Sequence, residues 1–420
     1  MTQQGGYAEL LRLSLGVEDP RHDRGKRYQL CEVLFLIVVG LLAGCNDAEA
    51  IASFGRLRLD WFRRFLVLEH GVPSHDTILY ILALVPPAEV ETLVRVWTTA
   101  LRQPGALTVD GGHIACDGQA LRGSVDRRAG TSPVHIVSAY LTGLGVTLGS
   151  VRVDDKSNEI TAIPDLIKSL DVRGATVTID AMGCQRAIAA ALREAEANYV
   201  LQVKENQPKL LEALKGEAVR QGGRRQPGAG PSQVERHREL DKGHGRLENR
   251  MCMVSHDISA LECRGDWADL AGFATILRER ENLVTGKKSQ EISYFIFSDR
   301  GATAARIAAL VRNHWGIENG LHWTLDVVWG SDGHQVRDRR AAENLAYLRR
   351  FAAGMVKQSV GERMSGKRLR DICGWDPDVA LQVLRCDVIS RPAARRPNRK
   401  SVGRFGMGVD AAKKRSVPKA

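Results

Sequence analysis

The stretch ATVTID, residues 175–180, is a short run of apolar and β-branched residues that ends in an acid. Such a run, preceded by a glycine, predicts a buried strand with Asp180 at its end. Upstream, His113–Asp117, Val134–Leu141 and Val146–Val153 predict three more strands, and a glycine-containing turn joins the last two as a hairpin. The first of these strands, like ATVTID, is predicted to end in an acid, here Asp117.

The segments between and after these strands have helix and strand patterns in alternation. Ile160–Leu170 has the spacing of an amphipathic helix, Gln185–Ala197 predicts a second helix, and Tyr199–Val203 predicts another strand. The order is therefore three strands, helix, strand, helix and strand. That order is typical of an α/β fold whose central sheet is covered on both faces.

The rest of the chain divides into regions around this core. Residues 1–105 have helical patterns and no strand pattern, which predicts a small helical N-terminal domain. Residues 106–384 form the predicted α/β domain, and a β-rich insertion is expected at about 205–300. The last segment, 385–420, carries 11 Lys and Arg against two acids, which predicts a disordered basic tail. The strand patterns of the insertion are Arg246–Val254, Phe273–Arg280 and Ser289–Ser298.

The composition favours a polyanionic partner, because 60 Lys and Arg against 49 Asp and Glu leave a net charge of +11. The eight cysteines include no CxxC pair, which indicates reduced thiols and argues against a disulfide framework or a zinc knuckle. The N-terminus lacks a signal-peptide pattern, and the most apolar run, Val33–Cys45, is shorter than the roughly 20 residues of a membrane span. We expect a cytoplasmic protein that does not bind a membrane.

Three acids are candidates for a shared metal site: Asp117, Asp180 and Glu318, the last within the polar and aromatic helix pattern RNHWGIENGLHW (312–323). Carboxylates at strand ends lie at the rim of a sheet, where sites form in open α/β folds. Phosphoryl transfer on nucleic acid uses two hard cations held by oxygen ligands. The order strand-Asp, strand-Asp, helix-Glu is that of the RNase H-like nucleases. The alternative for each Asp is a turn or helix cap, and for the Glu a solvated helix face.

Several longer motifs surround these acids. They are IACDGQALRGS (114–124), VHIVSAYL (134–141), DDKSNEITAIPDLI (154–167), VTIDAMGCQ (177–185), YVLQVKENQP (199–208), HGRLENR (244–250) and RNHWGIENGLHWTLDVVW (312–329). Together they resemble the H-repeat-associated proteins, a family of DDE transposases from bacterial insertion sequences. The resemblance covers about residues 15–385.

The resemblance implies an RNase H-like catalytic core with a β-rich insertion, preceded by a small helical transposase-associated domain that binds the ends of the element. It implies that Asp117, Asp180 and Glu318 are the catalytic, metal-binding triad for two Mg²⁺ ions, for which Mn²⁺ can substitute. The expected activity is cleavage of the insertion-sequence ends and their joining to target DNA. The expected partner is double-stranded DNA, bound by a homo-oligomer at the bacterial nucleoid.

Two positions depart from the family pattern. Gln119 stands where the family usually has Lys, and Gly330-Ser331-Asp332 lacks the Glu of the family's Glu-Asp pair. Two alternatives therefore stay open. One is a catalytically impaired DNA-binding relative, and the other is an RNase H-like nuclease without strand transfer.

Further polar residues are candidate DNA contacts. One polar helix face is predicted by the i, i+4, i+8 spacing of His314, Glu318 and His322. Zinc binding is an alternative for that face. Trp315 and Trp323 are expected in the core, with stacking on a DNA base as the alternative. The late helices are expected to have a basic character that can contact phosphates, from Arg337, Arg339, Arg340, Arg349 and Arg350. The candidate DNA contacts are Arg122, Lys204, Asn206, His244, Arg246, Arg250, His314 and His322.

Overall fold

The strands of this protein form one continuous sheet in the computed structural model, which describes residues 5–22, 25–101, 112–153, 158–222, 234–243, 245–333 and 335–390. His244 and residues 391–420, most of the predicted tail, lie outside the described residues. The strands are β1 (His113–Leu121), β2 (Val134–Leu141), β3 (Val146–Val153), β4 (Thr176–Ile179), β5 (Asn198–Val203), β6 (Val234–Gly243), β7 (Arg246–Ser255), β8 (Gly272–Asn282) and β9 (Lys288–Phe297).

The sheet has the order β3-β2-β1-β4-β5-β9-β8-β7-β6. Strands β1, β4 and β5 run parallel, and the other pairs are antiparallel. The predicted hairpin Val134–Leu141 with Val146–Val153 is confirmed with the same bounds. The prediction that a strand ends at Asp117 is wrong, because β1 stays paired with β2 as far as Leu121 opposite Val134. Asp117 therefore lies in the middle of a strand.

The predicted insertion contributes strands that extend the central sheet instead of forming a separate one. Strand β9 pairs with β5, and β8, β7 and β6 follow outward. Strand β6 was not predicted, because its sequence VERHRELDKG is almost entirely polar and has no apolar alternation. It is a charged edge strand, and charge at a sheet edge discourages pairing with other chains.

Helices pack on both faces of the sheet. Helices α1 (Gly5–Ser14), α2 (Leu30–Leu42), α3 (Ala48–Leu57), α4 (Leu59–Phe62), α5 (His75–Leu84) and α6 (Pro87–Leu101) precede it. Within and after it come α7 (Glu159–Lys168), α8 (Arg186–Glu194), α9 (Pro208–Gly222), α10 (Ala304–His314), α11 (Arg339–Ser359), α12 (Gly366–Trp375) and α13 (Pro377–Leu384). Between α10 and α11 lie two π-helical segments, Ile317–His322 and Thr324–Val328.

The apolar side chains form three cores. The first joins the N-terminal helices to the π-helical segments and to α11, α12 and α13, with α2 buried along nearly its whole length. The second lies between the sheet and helices α7, α8 and α9. The third lies between α10 and the strands of the insertion. The N-terminal helices and α11 thus cover β1–β3 on one face, while α7 and α8 cover the other.

Two of the expectations drawn from composition concern cysteines and membrane spans. All eight cysteines are free thiols. Within the described ranges no single helix is long and apolar enough to cross a membrane, and α5 with α6 passes only as a pair that is bent by 93°.

Candidate active site

The candidate site is built on one face of β1. Side chains alternate along a strand, so His113, Asp117 and Gln119 point to the same side of the sheet. Helix α10 and the first π-helical segment pack on that side. The chemistry of the site is therefore decided by what these helical segments place opposite β1.

The helical segments turn polar side chains toward β1 and its neighbour β4 at steps that are multiples of four residues. His314 Nδ1 lies 2.8 Å from Thr178 Oγ1, which is also 2.8 Å from His113 Nε2. His322 Nδ1 lies 3.5 Å from Asp117 Oδ2.

Further along, Asp326 Oδ1 accepts a hydrogen bond of 2.8 Å from Gln119 Nε2. An α-helix has 3.6 residues per turn, so a four-residue spacing would drift off one face, whereas π-helical turns are wider. The π-helical segments therefore keep His322 and Asp326 facing the strand.

Asp180 reaches the same region from β4, which is the parallel neighbour of β1. Cys116 pairs with Ile179, so the next residue of each chain segment is a carboxylate, Asp117 and Asp180. Asp180 Oδ1 accepts hydrogen bonds from the backbone N–H groups of Met182 (3.0 Å) and Gly183 (3.4 Å). These bonds fix the carboxylate in the turn that begins helix α8.

Asp180 and Glu318 line one cleft, and Asp117 lies on the strand next to the one that ends at Asp180. Burial raises the pKa of Asp117 to about 7; the Gly118 backbone N–H opposes this, and the negative charges of Glu159, Asp180 and Glu318 raise it further. The pKa of Asp180 is also raised, chiefly by burial and then by Glu159, against hydrogen bonds and Lys204 that lower it. Strand β1, the end of β4 and the π-helical segment thus bring the three predicted acids to one region of the sheet.

Glu159 was not among the predicted site residues. It lies in the first turn of α7, after the N-cap Asn158, and its Oε1 is 2.7 Å from His135 Nε2. Its side chain is only 13% exposed. The sequence held a signal for it, because DDKSNEITAIPDLI was one of the motifs behind the family resemblance. A glutamate in the first turn of a helix is common for electrostatic reasons alone, so the sequence did not mark Glu159 as a residue near the site.

The donor set suits a hard divalent cation, because it consists of carboxylates that repel one another in the absence of positive charge. As the side chains stand, no three His, Cys, Asp or Glu groups in the described ranges surround a single point where an ion could be held. The carboxylates would therefore have to turn inward around a cation. The histidines of the helical face are poor candidates for charge neutralisation, because burial lowers the pKa of His314 to about 4 and that of His322 to about 3.

A cleft of about 440 Å³ opens beside Asp180 and Glu318 and runs across the face of the sheet. Its walls carry the cations Lys204, Arg278 and Arg280. A second cleft of about 350 Å³ continues toward β6 and shares Arg278 and Arg280 with the first. Together the two form a groove with cationic side chains that leads away from the carboxylates.

The two tryptophans of this helical region are not core residues, which corrects the favoured prediction. Trp315 is 45% exposed and lies on the wall of both clefts, and Trp323 is 56% exposed. The helix turns that carry them face the groove and solvent, while Ile317, Leu321 and Leu325 supply the buried side.

The remaining candidate DNA contacts lie at different distances from the carboxylates. Lys204 is exposed on the first cleft, and Asn206 Nδ2 donates a 2.6 Å hydrogen bond to the Ala181 carbonyl. Asn206 therefore joins the loop after β5 to the loop that carries Asp180. Arg122, which is 81% exposed in its side chain, lies 3.7 Å from Asp332.

In the insertion, Arg246 is exposed at the start of β7. Arg250 lines the second cleft, and its Nε donates a 2.8 Å hydrogen bond to Glu248. Glu248 also lies within 3.6 Å of Arg278 and Arg280, so this one carboxylate forms ion pairs with three arginines. His244 lies outside the described residues.

Arg349 and Arg350 do not form a basic surface, which corrects that prediction. Both are buried in α11. Arg350 donates hydrogen bonds to Gln119 Oε1 (2.7 Å) and Ser138 Oγ (3.0 Å), and Gln119 in turn holds Asp326. Gln119, one of the two departures from the family pattern, is thus a buried link between β1, α11 and the second π-helical segment.

Comparison with known families defines the class of this protein. The family model described as "Transposase DDE domain" matches residues 104–355, and the one described as "DDE_Tnp_1-associated" matches residues 15–98. The chain therefore belongs to the DDE transposase family.

Within that family its relatives include the H repeat-associated transposases. The Escherichia coli protein named "H repeat-associated putative transposase YhhI" is 31% identical over 345 residues, which cover 81% of this chain and 88% of that protein. "Putative transposase YncI" from Escherichia coli is 32% identical over 364 residues, which cover 84% of this chain and 88% of the relative.

Among solved structures, the piggyBac transposase synaptic complex with hairpin DNA matches with a TM-score of 0.36 and 13% identity. The match covers 91% of this chain and 78% of that one. The likeness is too distant to support an argument about this protein.

Proposed function

We propose that this protein cleaves the ends of an insertion sequence and joins them to target DNA, with Asp117, Asp180 and Glu318 holding two Mg²⁺ ions. The observation that carries the proposal is that Asp180 and Glu318 line one cleft and Asp117 lies on the neighbouring strand, in a member of the DDE transposase family. The strand order β3-β2-β1-β4-β5 with acids on β1 and after β4 further supports an RNase H-like core.

The residues of the chain have distinct roles in this proposal. When bound, the two ions would activate the attacking oxygen and stabilise the leaving oxygen. Asp117, Asp180 and Glu318 would hold them, and His322 would orient Asp117 from the side. The reaction otherwise depends on positioning the phosphodiester, and Lys204, Arg278 and Arg280 face the cleft where a DNA backbone can approach the acids.

The groove beside the acids and the N-terminal helices are proposed to share DNA binding. Cations of the groove contact phosphates and so supply affinity with little sequence information. Recognition of the element's end is assigned to the helical region at residues 1–105, which the family model of the transposase-associated domain overlaps. Assembly on paired ends as a homo-oligomer completes the proposal.

The two departures from the family pattern, Gln119 and Ser331, both lie in the packed interior. Gln119 is buried and makes hydrogen bonds at both ends of its side chain, so the residue that replaces the family's Lys has a structural role here. Ser331 is also buried, and its backbone N–H bonds to the Leu325 carbonyl at 2.9 Å.

The test uses a plasmid that carries the genomic segments flanking the reading frame, incubated with the full chain and Mg²⁺. We expect cleavage at the element's ends and joined products with target DNA. Asp117→Asn, Asp180→Asn and Glu318→Gln should each lose at least about 100-fold in rate, whereas Glu194→Gln on the exposed side of α8 should not. End binding without metal-dependent nicking would favour the impaired relative, and cleavage without joining would favour a simple nuclease.

A further inference from the structure

An open cavity of about 570 Å³ lies beside the carboxyl end of strand β1, between the loop that leads to β2 and the segment before helix α11. Four exposed arginines line this cavity, which we call the arginine pocket. Among the described residues a single acid, Asp126, lines it with them. The four arginines are Arg122, Arg127, Arg128 and Arg337.

The acid of the arginine pocket has its partners within the loop itself. Asp126 Oδ1 accepts hydrogen bonds from the backbone N–H groups of Arg128 (2.9 Å) and Ala129 (3.2 Å). Of the four arginines, Arg122 lies 3.7 Å from Asp332, and the side chains of the other three form no ion pair with any described residue. The pocket therefore has a surplus of positive charge, and like charges repel one another unless a polyanion lies between them.

The loop that carries three of these arginines is fixed by hydrogen bonds. Ser124 Oγ donates a 2.7 Å hydrogen bond to the Leu121 carbonyl and accepts one of 2.8 Å from the Val134 N–H. Arg339, at the start of α11, donates a 2.9 Å hydrogen bond to the Ser132 carbonyl. These bonds join β1, β2 and α11 around the arginine pocket, so the pocket belongs to the packed structure.

The arginine pocket lies along β1 from the proposed catalytic acids. Strand β1 continues from Asp117 to Leu121, a distance of about 13 Å at about 3.3 Å per residue, and Arg122 follows directly. Asp332, the neighbour of Arg122, follows the π-helical segments that pack on the Asp117 side of β1. The groove of the proposed function leaves Asp180 in another direction, across β5, β9 and β8. The acids therefore have a cationic surface on each of two sides.

Joining an element's end to a target brings two DNA segments to the acids at the same time. In the proposed function the groove and the N-terminal helices hold the element's end, so the target needs a second surface. About 13 Å corresponds to about four base pairs of duplex DNA, so a duplex with one phosphodiester at the acids can reach the arginine pocket with its backbone. Arginines that contact phosphates carry little sequence information, which suits a duplex whose sequence is not read.

We propose that the arginine pocket binds the backbone of the target DNA and is separate from the groove that receives the element's end. The inference rests on the proposed function, since a target is needed only by a protein that joins ends to it. It assigns Arg127, Arg128 and Arg337 as contacts to target phosphates and gives Arg122 the same partner. Joining should then be lost in variants that still cleave the element's ends.

The test compares two reactions of the full chain with Mg²⁺. One is cleavage of an element's end on a plasmid, and the other is joining of a pre-cleaved end, with its free 3′-hydroxyl, to a second plasmid. The variant is Arg127→Ala/Arg128→Ala. The control is Arg173→Ala, which removes an exposed arginine before β4, at the opposite end of that strand from Asp180.

We expect the double variant to join at least about 10-fold more slowly, because two phosphate contacts are lost, and to cleave within about twofold of the wild-type rate. The control should match the wild type in both reactions. Arg127→Lys/Arg128→Lys keeps both charges and should retain most of the joining rate.

Each other outcome contradicts the inference in a different way. Joining at the wild-type rate by the Ala double variant would show that the arginine pocket does not bind the target, while the proposed function stands. An equal loss of cleavage and joining would assign the pocket to the element's end or to the fold and would also overturn the inference. If the wild type neither cleaves nor joins, the proposed function and the inference are both wrong.

Discussion

His322 Nδ1 lies 3.5 Å from Asp117 Oδ2, so a helix residue distant in sequence faces the central acid of the site. The contact is one of a series along β1 and its neighbour β4, in which His314 reaches Thr178, His322 reaches Asp117 and Asp326 reaches Gln119. This series places the Glu318 helix against the strand in a defined register. The site therefore depends on the π-helical geometry as much as on the acids themselves.

Replacing His322 with Ala should lower the rate of end cleavage by about 10- to 100-fold, which is the usual effect of losing a residue that orients a metal ligand. The affinity for end DNA should stay within about twofold of the wild-type value, because the His322 side chain is mostly buried and does not offer a phosphate contact. Gel-shift and cleavage assays on the same preparation measure both quantities. Glu194→Gln, on the exposed side of α8 and outside the helical region proposed to recognise the ends, is the control. A parallel loss of binding and cleavage would contradict an orienting role.

Replacing Lys204 with Ala should weaken DNA binding uniformly across sequences, because this side chain is exposed on the cleft beside Asp180. The slope of log affinity against log salt concentration should fall by about one, as expected for one lost phosphate contact. Lys215→Ala on α9 provides a matched lysine away from the groove. Equal slopes for the wild type and Lys204→Ala would remove this lysine from the DNA interface.

Replacing Gln119 with Ala should lower the free energy of unfolding by about 2 kcal/mol, because it removes one hydrogen bond of the buried Arg350 and the hydrogen bond that Asp326 accepts from Gln119. Urea unfolding at pH 7 measures the change. The control is Gln290→Ala, whose side chain is exposed on β9 and makes only a 3.5 Å contact with Glu279. Similar stability of the two variants would mean that the Gln119 bridge does not stabilise the fold.

The stability of the protein should fall below neutral pH through His113. Burial, and then the positive charges of His314 and Arg306, lower the pKa of His113 to about 3. An unfolded histidine has a pKa of about 6.5. The neutral form is therefore favoured in the fold, and its stabilising contribution is complete above pH 6.5 and is lost as the pH falls toward 3.

Melting temperatures at pH 7 and pH 5 test this dependence. The wild type should lose more stability over this interval than His113→Gln, which cannot take up a proton. His75→Gln should behave as the wild type, because that histidine is exposed. Identical losses in the wild type and His113→Gln would show that His113 does not stay neutral in the fold.

The parts of the fold that the sequence predicted well are those in which local pattern and tertiary environment agree. The hairpin β2–β3 and the strand before Asp180 are apolar and β-branched, and they are buried. The extent of β1 was underestimated, because the polar residues Asp117 and Gln119 look like the end of a strand. Pairing with β2, which a single sequence does not reveal, continues the strand to Leu121.

The acids of the site were predictable because each lies in a long motif of a known family, but their surroundings were not. Arg350 looks like a surface cation in sequence, yet its bonds to Gln119 and Ser138 place it in the core. Glu159 looks like an ordinary helix start. Its contact with His135 joins residues 24 positions apart, and only the folded sheet brings them together.

The most direct test of the central claim is a crystal structure of the full chain soaked with Mn²⁺ and measured at the manganese absorption edge. Anomalous peaks should lie between the carboxylates of Asp117, Asp180 and Glu318, with Glu318 turned inward from its π-helical segment. A structure in which Mn²⁺ occupies some other place, or in which the Glu318 carboxylate points away from a cation held by the two aspartates, would contradict the account.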